Sequence, residues 1–377
     1  MNLLLVNWQD LENPAAGGAE IHLFEIFSRL AARGHRVRLV CSGWSGDGER
    51  APSVPRAEVQ GIEVHRVGGR HSFALLGRGA VRRQLAAETP DVVVEDINKL
   101  PLYLTGLTSL PFCAIVPHLF GASAFEEAPW PMAATVWLAE RPLARAYRRA
   151  GFHAISESTR DDLVARGVRP ERIRVIHPGV DSAHYSPDAS VPRSPTPRFL
   201  YVGRLKRYKG VSVAIRALAV ARRTRPDLRL DVAGSGDYAG ELRELVTELK
   251  QEEAVRFHGF VSHADKLRLL RTTWANVFPS PKEGWGITII EAAACGTPSL
   301  ASDSPGLRDS VRHERTGYLV RHGDAAALAA RMLELAGNPE LVERLGAAAR
   351  AHAEALSWDA AADATEAHLA DILNGAA

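Results

Sequence analysis

The stretch Glu283-Gly-Trp-Gly-Ile-Thr-Ile-Ile-Glu291 runs on through Ala-Ala-Ala-Cys295-Gly296-Thr297-Pro298 into Ser299-Leu-Ala-Ser302, and it reads as a turn, a helix, a stop and a strand. Glycines ahead of the apolar run permit a tight turn and close backbone approach. Gly-Thr-Pro ends a helix, and the apolar residues after it continue as a buried strand. A helix that returns into a parallel strand is the repeating unit of a doubly wound α/β sheet, whose ligands bind at the strand C-terminal ends.

The same alternation extends on both sides. After residue 197, apolar strand patterns at 199–202, 228–233, 255–257, 275–278 and 298–301 are separated by helical patterns at 211–223 and 239–250. Before residue 120, strands are expected at 3–6, 37–41, 62–67, 92–95 and 112–116, with helices near 19–33 and 80–88. Continuous apolar strands between amphipathic helices argue for parallel sheets covered on both faces. In the first helix Ile21, Phe24, Phe27 and Leu30 recur at helical spacing, and Gly34 is its stop. Residues 186–197 carry four prolines and no apolar periodicity, which marks a linker. The expectation is an α/β chain of two doubly wound Rossmann-like domains, 1–185 and 198–357, joined by that linker.

Composition agrees with two soluble cores. At 377 residues the chain exceeds the roughly 250–300 at which single cores stop growing. Apolar residues make up 46% and charged residues 24%, and a net charge of +2 gives no electrostatic reason to expect nucleic acid. No stretch approaches the ~20 apolar residues of a membrane span. Met1-Asn-Leu-Leu-Leu-Val-Asn7 lacks the basic start of a secretory leader and reads as a first strand, so a cytoplasmic protein is expected. Cys41, Cys113 and Cys295 lie in or beside apolar runs without metal-ligand spacing and are expected to be buried and reduced. A helix is expected over 132–149, with Arg141, Arg145, Arg148 and Arg149 near an end where cations suit the helix dipole. The alternative for this segment is contact with a membrane surface through Trp130 and Trp137.

The opening stretch also carries chemistry. The N–H groups of Gly286, Ile287 and Thr288, at the start of the helix, attract an anion such as a diphosphate. Glu283 before the turn and Glu291 on the helix can reach hydroxyl groups on opposite sides of it. Two polyols flanking a diphosphate describe a nucleotide-sugar. The blander reading makes one glutamate a cap and leaves the other in solvent. Gly203-Arg-Leu-Lys-Arg-Tyr-Lys-Gly210 follows a strand, so Arg204 and Lys209 project where phosphate oxygens would lie, one as a planar fork and one as a point charge. Lys206 and Arg207 are left to solvent. Gly17-Gly18 opens the first helix and permits close approach to phosphate, but it is not the G-x-G-x-x-G pattern, which argues against a dinucleotide. Gly234 and Gly236 follow another strand end and are expected close to the nucleotide. The segment from His258 through Phe260 and Val261 can offer backbone groups to a base. His118 directly follows a strand, and such ends collect at ligand clefts.

Gly17-Gly18-Ala-Glu20, Ser156-Glu157-Ser158, Pro178-Gly-Val-Asp181, Val202-Gly-Arg-Leu205 with Lys209-Gly210, Gly234-Ser-Gly236, and Glu283 with Glu291 and Cys295-Gly-Thr-Pro298 occur in this order. The set resembles the family 4 retaining glycosyltransferases of GT-B fold over nearly the whole chain. The resemblance implies two domains facing across a cleft, with the final helical stretch, residues 358–377, crossing back onto the first. It implies that Arg204 and Lys209 hold the donor diphosphate, Glu291 the ribose hydroxyls and Glu283 the donor sugar, with Gly18 giving phosphate a backbone contact. His118 matches the family's active-site histidine beside the donor sugar. The implied reaction passes a sugar from a nucleoside-diphosphate-sugar to an acceptor hydroxyl with retention, with neither metal nor other cofactor. Trp285 stands where Phe is usual, Pro305-Gly306 replaces Gly-Gly, and Arg308-Asp309 replaces Pro-Glu. Acceptor choice is expected in the loops at 43–56 and 97–100. The competing readings are a nucleotide-sugar epimerase or hydrolase, and a non-catalytic nucleotide-sugar-binding protein. The latter is disfavoured because every charged position of the set is present.

Overall fold

The structure is a computed structural model that describes residues 1–46, 51–127 and 129–375. The chain divides into two units, Met1–Pro178 with Trp358–Ala377, and Gly179–Ser357.

In the first unit, eight strands form one sheet among the described residues: β1 (Asn2–Val6), β2 (Arg36–Cys41), β3 (Arg56–Val59), β4 (Ile62–Arg66), β5 (Val92–Asp96), β6 (Phe112–Val116), β7 (Gly151–Ala154) and β8 (Ile173–Val175). Their order is β3-β4-β2-β1-β5-β6-β7-β8. Every neighbouring pair is parallel except the β3–β4 hairpin at the edge. Leu3, Leu4 and Leu5 are all fully buried, as a strand covered on both faces requires. Leu3 and Leu5 pack with Phe24, Phe27 and Leu30 of the helix Gly18–Ala32. Leu4 and Val6 pack with Phe73 and Val81 of the helix Phe73–Ala87.

The helix Trp358–Leu373 shares the core of Leu3 and Phe24 through Trp358, Ala361, Leu369 and Ile372. Arg29 and Arg33 bind Asp359 and Glu366 at 2.8 Å each, so this last helix belongs with the first unit. The expected helix over 132–149 is two, Trp130–Glu140 and Leu143–Ala146, because Pro142 has no N–H to continue the ladder and its ring clashes with the preceding turn.

Six parallel strands form the second sheet: β9 (Arg198–Val202), β10 (Arg229–Ala233), β11 (Val255–Gly259), β12 (Ala275–Phe278), β13 (Ser299–Ser302) and β14 (Gly317–Val320). Their order, β11-β10-β9-β12-β13-β14, reverses direction between β9 and β12. Phe199, Tyr201, Val232, Val277 and Leu300 form the core with Val211, Ile215 and Leu218 of the helix Val211–Ala221 and with Met332 of the helix Ala325–Gly337. The boundary between units falls at Pro178/Gly179, ahead of the proline-rich stretch 186–197. That stretch is tied to the second unit: Trp274 Nε1 donates to the Ser194 carbonyl at 2.9 Å, and Arg193 donates to the Thr273 and Gly296 carbonyls. Prolines stiffen this segment, but its polar groups dock it. All three cysteines are free and buried. Among the described residues, no helix is long and apolar enough to cross a membrane.

Candidate active site

The order of the second sheet reverses where β9 meets β12, and a doubly wound sheet opens a crevice at the C-terminal ends of such a strand pair. The loops leaving those two strands carry the charged set. Gly210 closes the β9 loop with φ +68°, and a Cβ there would lie 2.3 Å from the Pro279 carbonyl. Only glycine lets the two loops approach this closely. The approach brings the Lys209 ammonium to both oxygens of Glu283, at 2.6 and 2.8 Å, with each side chain about 12–13% exposed. Burial works against the ammonium, but the Glu283 carboxylate together with Tyr208 more than offsets it, and the Lys209 pKa is raised.

Glu283 is fixed from behind. Its N–H donates to the Pro305 carbonyl at 3.1 Å, and Ser304 Oγ donates to the Ser280 carbonyl at 2.9 Å. Gly306, with φ +79°, has room for no side chain, since a Cβ would sit 2.0 Å from the Glu283 carbonyl oxygen. The Pro305-Gly306 variation thus keeps glycine at the position that needs it. Gly286, at φ +90°, precedes the helix Ile287–Ala294, whose first N–H groups, those of Ile287 and Thr288, have no carbonyl within the helix to bind.

Arg204 is exposed, and its guanidinium forms no hydrogen bond or ion pair among the described residues. Lys206 and Arg207, which were left to solvent, pair instead with the exposed acids Asp237 and Glu241, and Arg207 also lies over the Tyr238 ring. Glu291 is buried and takes the Lys266 ammonium on Oε1 at 2.7 Å. Its Oε2 is buried without a hydrogen bond. Lys266 also lies over the Tyr185 ring at 5.1 Å, and burial, then Glu291, push the Tyr185 phenol up.

Gly234 and Gly236 lie against protein backbone. Gly203 N donates to the Ala233 carbonyl at 3.0 Å and Leu205 N to the Ser235 carbonyl at 2.9 Å, so this turn backs the loop that carries Arg204. The His258 imidazole is engaged by the buried Asp231 at 2.9 Å, which also holds Arg198. Beyond it, Phe260 is 86% exposed and Val261 half-buried.

In the first unit, His118 follows β6, with its ring 4.8 Å from that of Phe120. The buried Glu140 accepts the Phe120 and Gly121 N–H groups at 2.7 and 2.8 Å and is neighboured by Arg166 at 3.4 Å, which fixes the loop leaving His118. The Gly17 N–H is bound by Glu20 at 2.8 Å, and Glu20 also accepts from Asn98 at 3.3 Å. Of the glycine pair, then, only the Gly18 N–H remains as an unsatisfied helix start. The order of this sheet reverses between β1 and β5, and the Asp10 carboxylate there chelates Arg66 at 2.7 and 3.1 Å. Lys99 donates to Gln9 at 2.9 Å. Asp96, at the end of β5, is buried with neither carboxylate oxygen hydrogen-bonded; burial, then Glu20, raise its pKa well above the usual carboxylate range. Of the expected acceptor loops, 97–100 lies at this reversal, and residues 47–50 of the other fall outside the described residues.

Lys266, Tyr185, Glu140 and Asp96 carry no motif that sequence reasoning could use. The one cue is that lysine is scarce, six residues in the chain, and that Lys209 and Lys266 are the two bound to the glutamates of the opening stretch. Among the described residues, no cluster of three or more His, Cys, Asp or Glu side chains is placed to hold a metal.

Two Rossmann-like units, the second with cations and glutamates at its strand ends, are the architecture of the GT-B fold. Residues 16–184 match the family model described as Glycosyltransferase Family 4, and residues 186–352 that of Glycosyl transferases group 1. The D-inositol 3-phosphate glycosyltransferase of Streptomyces scabiei is 30% identical over 96% of this chain and 89% of its own length. The chain belongs to the family 4 glycosyltransferases. Its fold matches that of a sucrose-phosphate synthase from Thermosynechococcus elongatus, with a TM-score of 0.82 and 23% identity over the whole of both chains. Anabaena HepE in complex with UDP-glucose matches with a TM-score of 0.77 and 20% identity over 99% of each chain.

Proposed function

We propose that this glycosyltransferase holds a nucleoside-diphosphate-sugar on its second unit and transfers the sugar to an acceptor hydroxyl with retention of anomeric configuration and without a metal ion. The observation that carries the reading is the Lys209–Glu283 pair at the β9/β12 reversal, beside the open helix start at Gly286. A diphosphate at that place meets Arg204, Lys209 and the N–H groups of Ile287 and Thr288. These donors stabilise the charge that grows on the leaving phosphate as the anomeric C–O bond breaks. The acceptor oxygen bonds to the anomeric carbon on the face the phosphate leaves, and its proton passes to the departing phosphate oxygen.

Glu283 then orients the sugar hydroxyls and keeps Lys209 placed. Glu291 Oε2, buried and without a hydrogen bond, has lone pairs for ribose hydroxyls. Phe260 and Val261 offer backbone groups to the base, with Gly234 and Gly236 supporting the phosphate loop from behind. On the first unit, the family resemblance points to the Gly18 N–H and His118 as functional groups. We also assign the helix Trp130–Glu140, where Trp130, Met132 and Leu138 are 73%, 56% and 56% exposed, to a peripheral contact with the cytoplasmic face of a membrane. The test is transfer from a panel of nucleoside-diphosphate-sugars, found by thermal shift, with the anomeric configuration of the product read by NMR. An inverted product, or a rate abolished by EDTA, would overturn the mechanism.

A further inference from the structure

A pocket of about 870 Å³ opens on the first unit, lined by Arg78, Arg145, Arg148 and Arg149 together with Thr108 and Phe112 among others, and no acidic residue lines it. It sits where the chain enters β6 and β7: Phe112 is the first residue of β6, and Arg148 and Arg149 directly precede Gly151 of β7. His118 follows the opposite end of β6, and the two strand ends are about 13 Å apart at ~3.3 Å per strand residue. The pocket is therefore separate from the chemistry assigned to the strand C-terminal ends.

Three of the pocket's four arginines are uncompensated, and the fourth, Arg78, lies near the buried Glu95. Elsewhere on the first unit, Arg29, Arg33, Arg66 and Arg160 each bind a carboxylate. Arg145, Arg148 and Arg149 are exposed and form neither an ion pair nor a side-chain hydrogen bond among the described residues. The helix dipole does not account for them either. The break at Pro142 leaves a helix of four residues, Leu143–Ala146, and Arg148 and Arg149 lie beyond its end. Arg78 is tethered by the Leu102 and Tyr103 carbonyls, which hold its guanidinium in the wall. Like charges gathered in a concave site repel one another and focus a positive potential on whatever enters. Guanidinium forks match phosphate oxygens, and the volume lies within the ~300–1,000 Å³ range of small-molecule sites.

We propose that this pocket is a second binding site, for a phosphate-bearing anion that is not the sugar donor. The chemistry is shared by an anionic lipid headgroup and by a free phosphorylated small molecule, and the experiment separates them. The full chain is tested for co-sedimentation with phosphatidylglycerol vesicles, against phosphatidylcholine vesicles, and for binding of inorganic pyrophosphate by calorimetry. The pyrophosphate arm uses an Arg204→Ala, Lys209→Ala background, so that the second unit does not report. In each arm the comparison is with Arg145→Gln, Arg148→Gln, Arg149→Gln together. These side chains are exposed and unpaired, so the melting temperature of the triple variant should match that of its parent.

At roughly one decade or less per arginine near an anionic surface, the triple variant should weaken vesicle binding on the order of 100-fold if the source is lipid. If the source is soluble, it should abolish pyrophosphate binding and leave vesicle binding unchanged. Either result supports the site. Failure of the parent proteins to bind either probe, or triple-variant binding equal to the parent in both arms, overturns it.

Discussion

Lys209 and Glu283 leave the ends of two different strands, yet the ammonium touches both oxygens of the carboxylate, at 2.6 and 2.8 Å. The contact is a consequence of loop packing, because Gly210 and Gly306 remove the Cβ atoms that would hold the loops apart. A lysine already held by an acid is a fixed cation, and an arriving phosphate can share it without reordering the side chain. On the proposed reading, Arg204, exposed and unbound, is ordered only when the phosphate arrives.

Substitution should separate the roles of the pair. Glu283→Gln keeps a hydrogen-bonding side chain beside Lys209 and removes the charge that orients the sugar. It should lower kcat on the order of 100-fold while changing donor affinity little. Lys209→Ala should raise KM and lower kcat together, because the same cation serves ground state and transition state. Steady-state kinetics with a saturating acceptor give both numbers. A Glu283→Gln enzyme with unchanged kcat would remove that residue from the chemistry.

Gly306 tests the support behind Glu283. Gly306→Ala places a methyl group 2.0 Å from the Glu283 carbonyl oxygen at a φ of +79°. The expected cost is about 1–3 kcal/mol of stability, and displacement of Glu283 should lower kcat further than a matched destabilisation elsewhere. Gly240→Ala, on a helix with open space around it, is the control.

Glu140 offers a test in the first unit. Glu140→Ala orphans the Phe120 and Gly121 N–H groups, each at about 1–3 kcal/mol. Activity should fall because the loop leaving His118 loses its anchor, and His118→Ala should lower it with a smaller loss of stability than Glu140→Ala. Thermal melts beside rates for the two variants separate these outcomes.

Acid should loosen the first unit. His22, His153 and His368 are buried together, from the helix Gly18–Ala32, β7 and the last helix, with the His22 and His153 rings 5.3 Å apart. Burial lowers His22 from 6.5 to about 4. Burial and then Arg174 lower His368 to about 4, with Asp371 opposing. Burial, with His22 and His368 adding, holds His153 well below its ordinary value. Below pH 6.5 the unfolded chain therefore binds more protons than the folded one. Stability is full above 6.5 and falls as pH drops toward 4, by about 2 kcal/mol per histidine at pH 5. The melting temperature should fall most steeply in that window, and His368→Phe should flatten the slope. A flat profile from pH 7 to 5 would contradict the burial argument.

Much of this architecture was legible from apolar runs, since Leu3–Val6, Val92–Glu95 and Phe199–Val202 have no other use than a covered strand. Short strands escaped: Gly151-Phe-His-Ala154 and Gly317-Tyr-Leu-Val320 begin with a residue that signals a turn and are too brief for periodicity. In the site, the positions of Arg204, Lys209, Glu283 and Glu291 followed from strand ends and glycines. Their partners did not, because the Lys209–Glu283 and Lys266–Glu291 contacts depend on how separate loops and helices meet. Gly234 shows the limit of the glycine cue. A Cβ there would meet the Gly203 carbonyl, so the need for glycine at this position is accounted for by the chain itself, and a sequence does not say whether a glycine makes room for ligand or for chain.

The last helix carries one more consequence. Ile372 rests on Gly151 so closely that an added Cβ would fall 2.5 Å from its Cδ1, and Trp358 and Leu369 complete the layer over Phe24. During synthesis, residues 179–357 emerge before this lid exists, so the half of the molecule that leaves the ribosome first finishes folding last. A released chain that stops short of residue 358 would carry a complete second half and an unsealed first one.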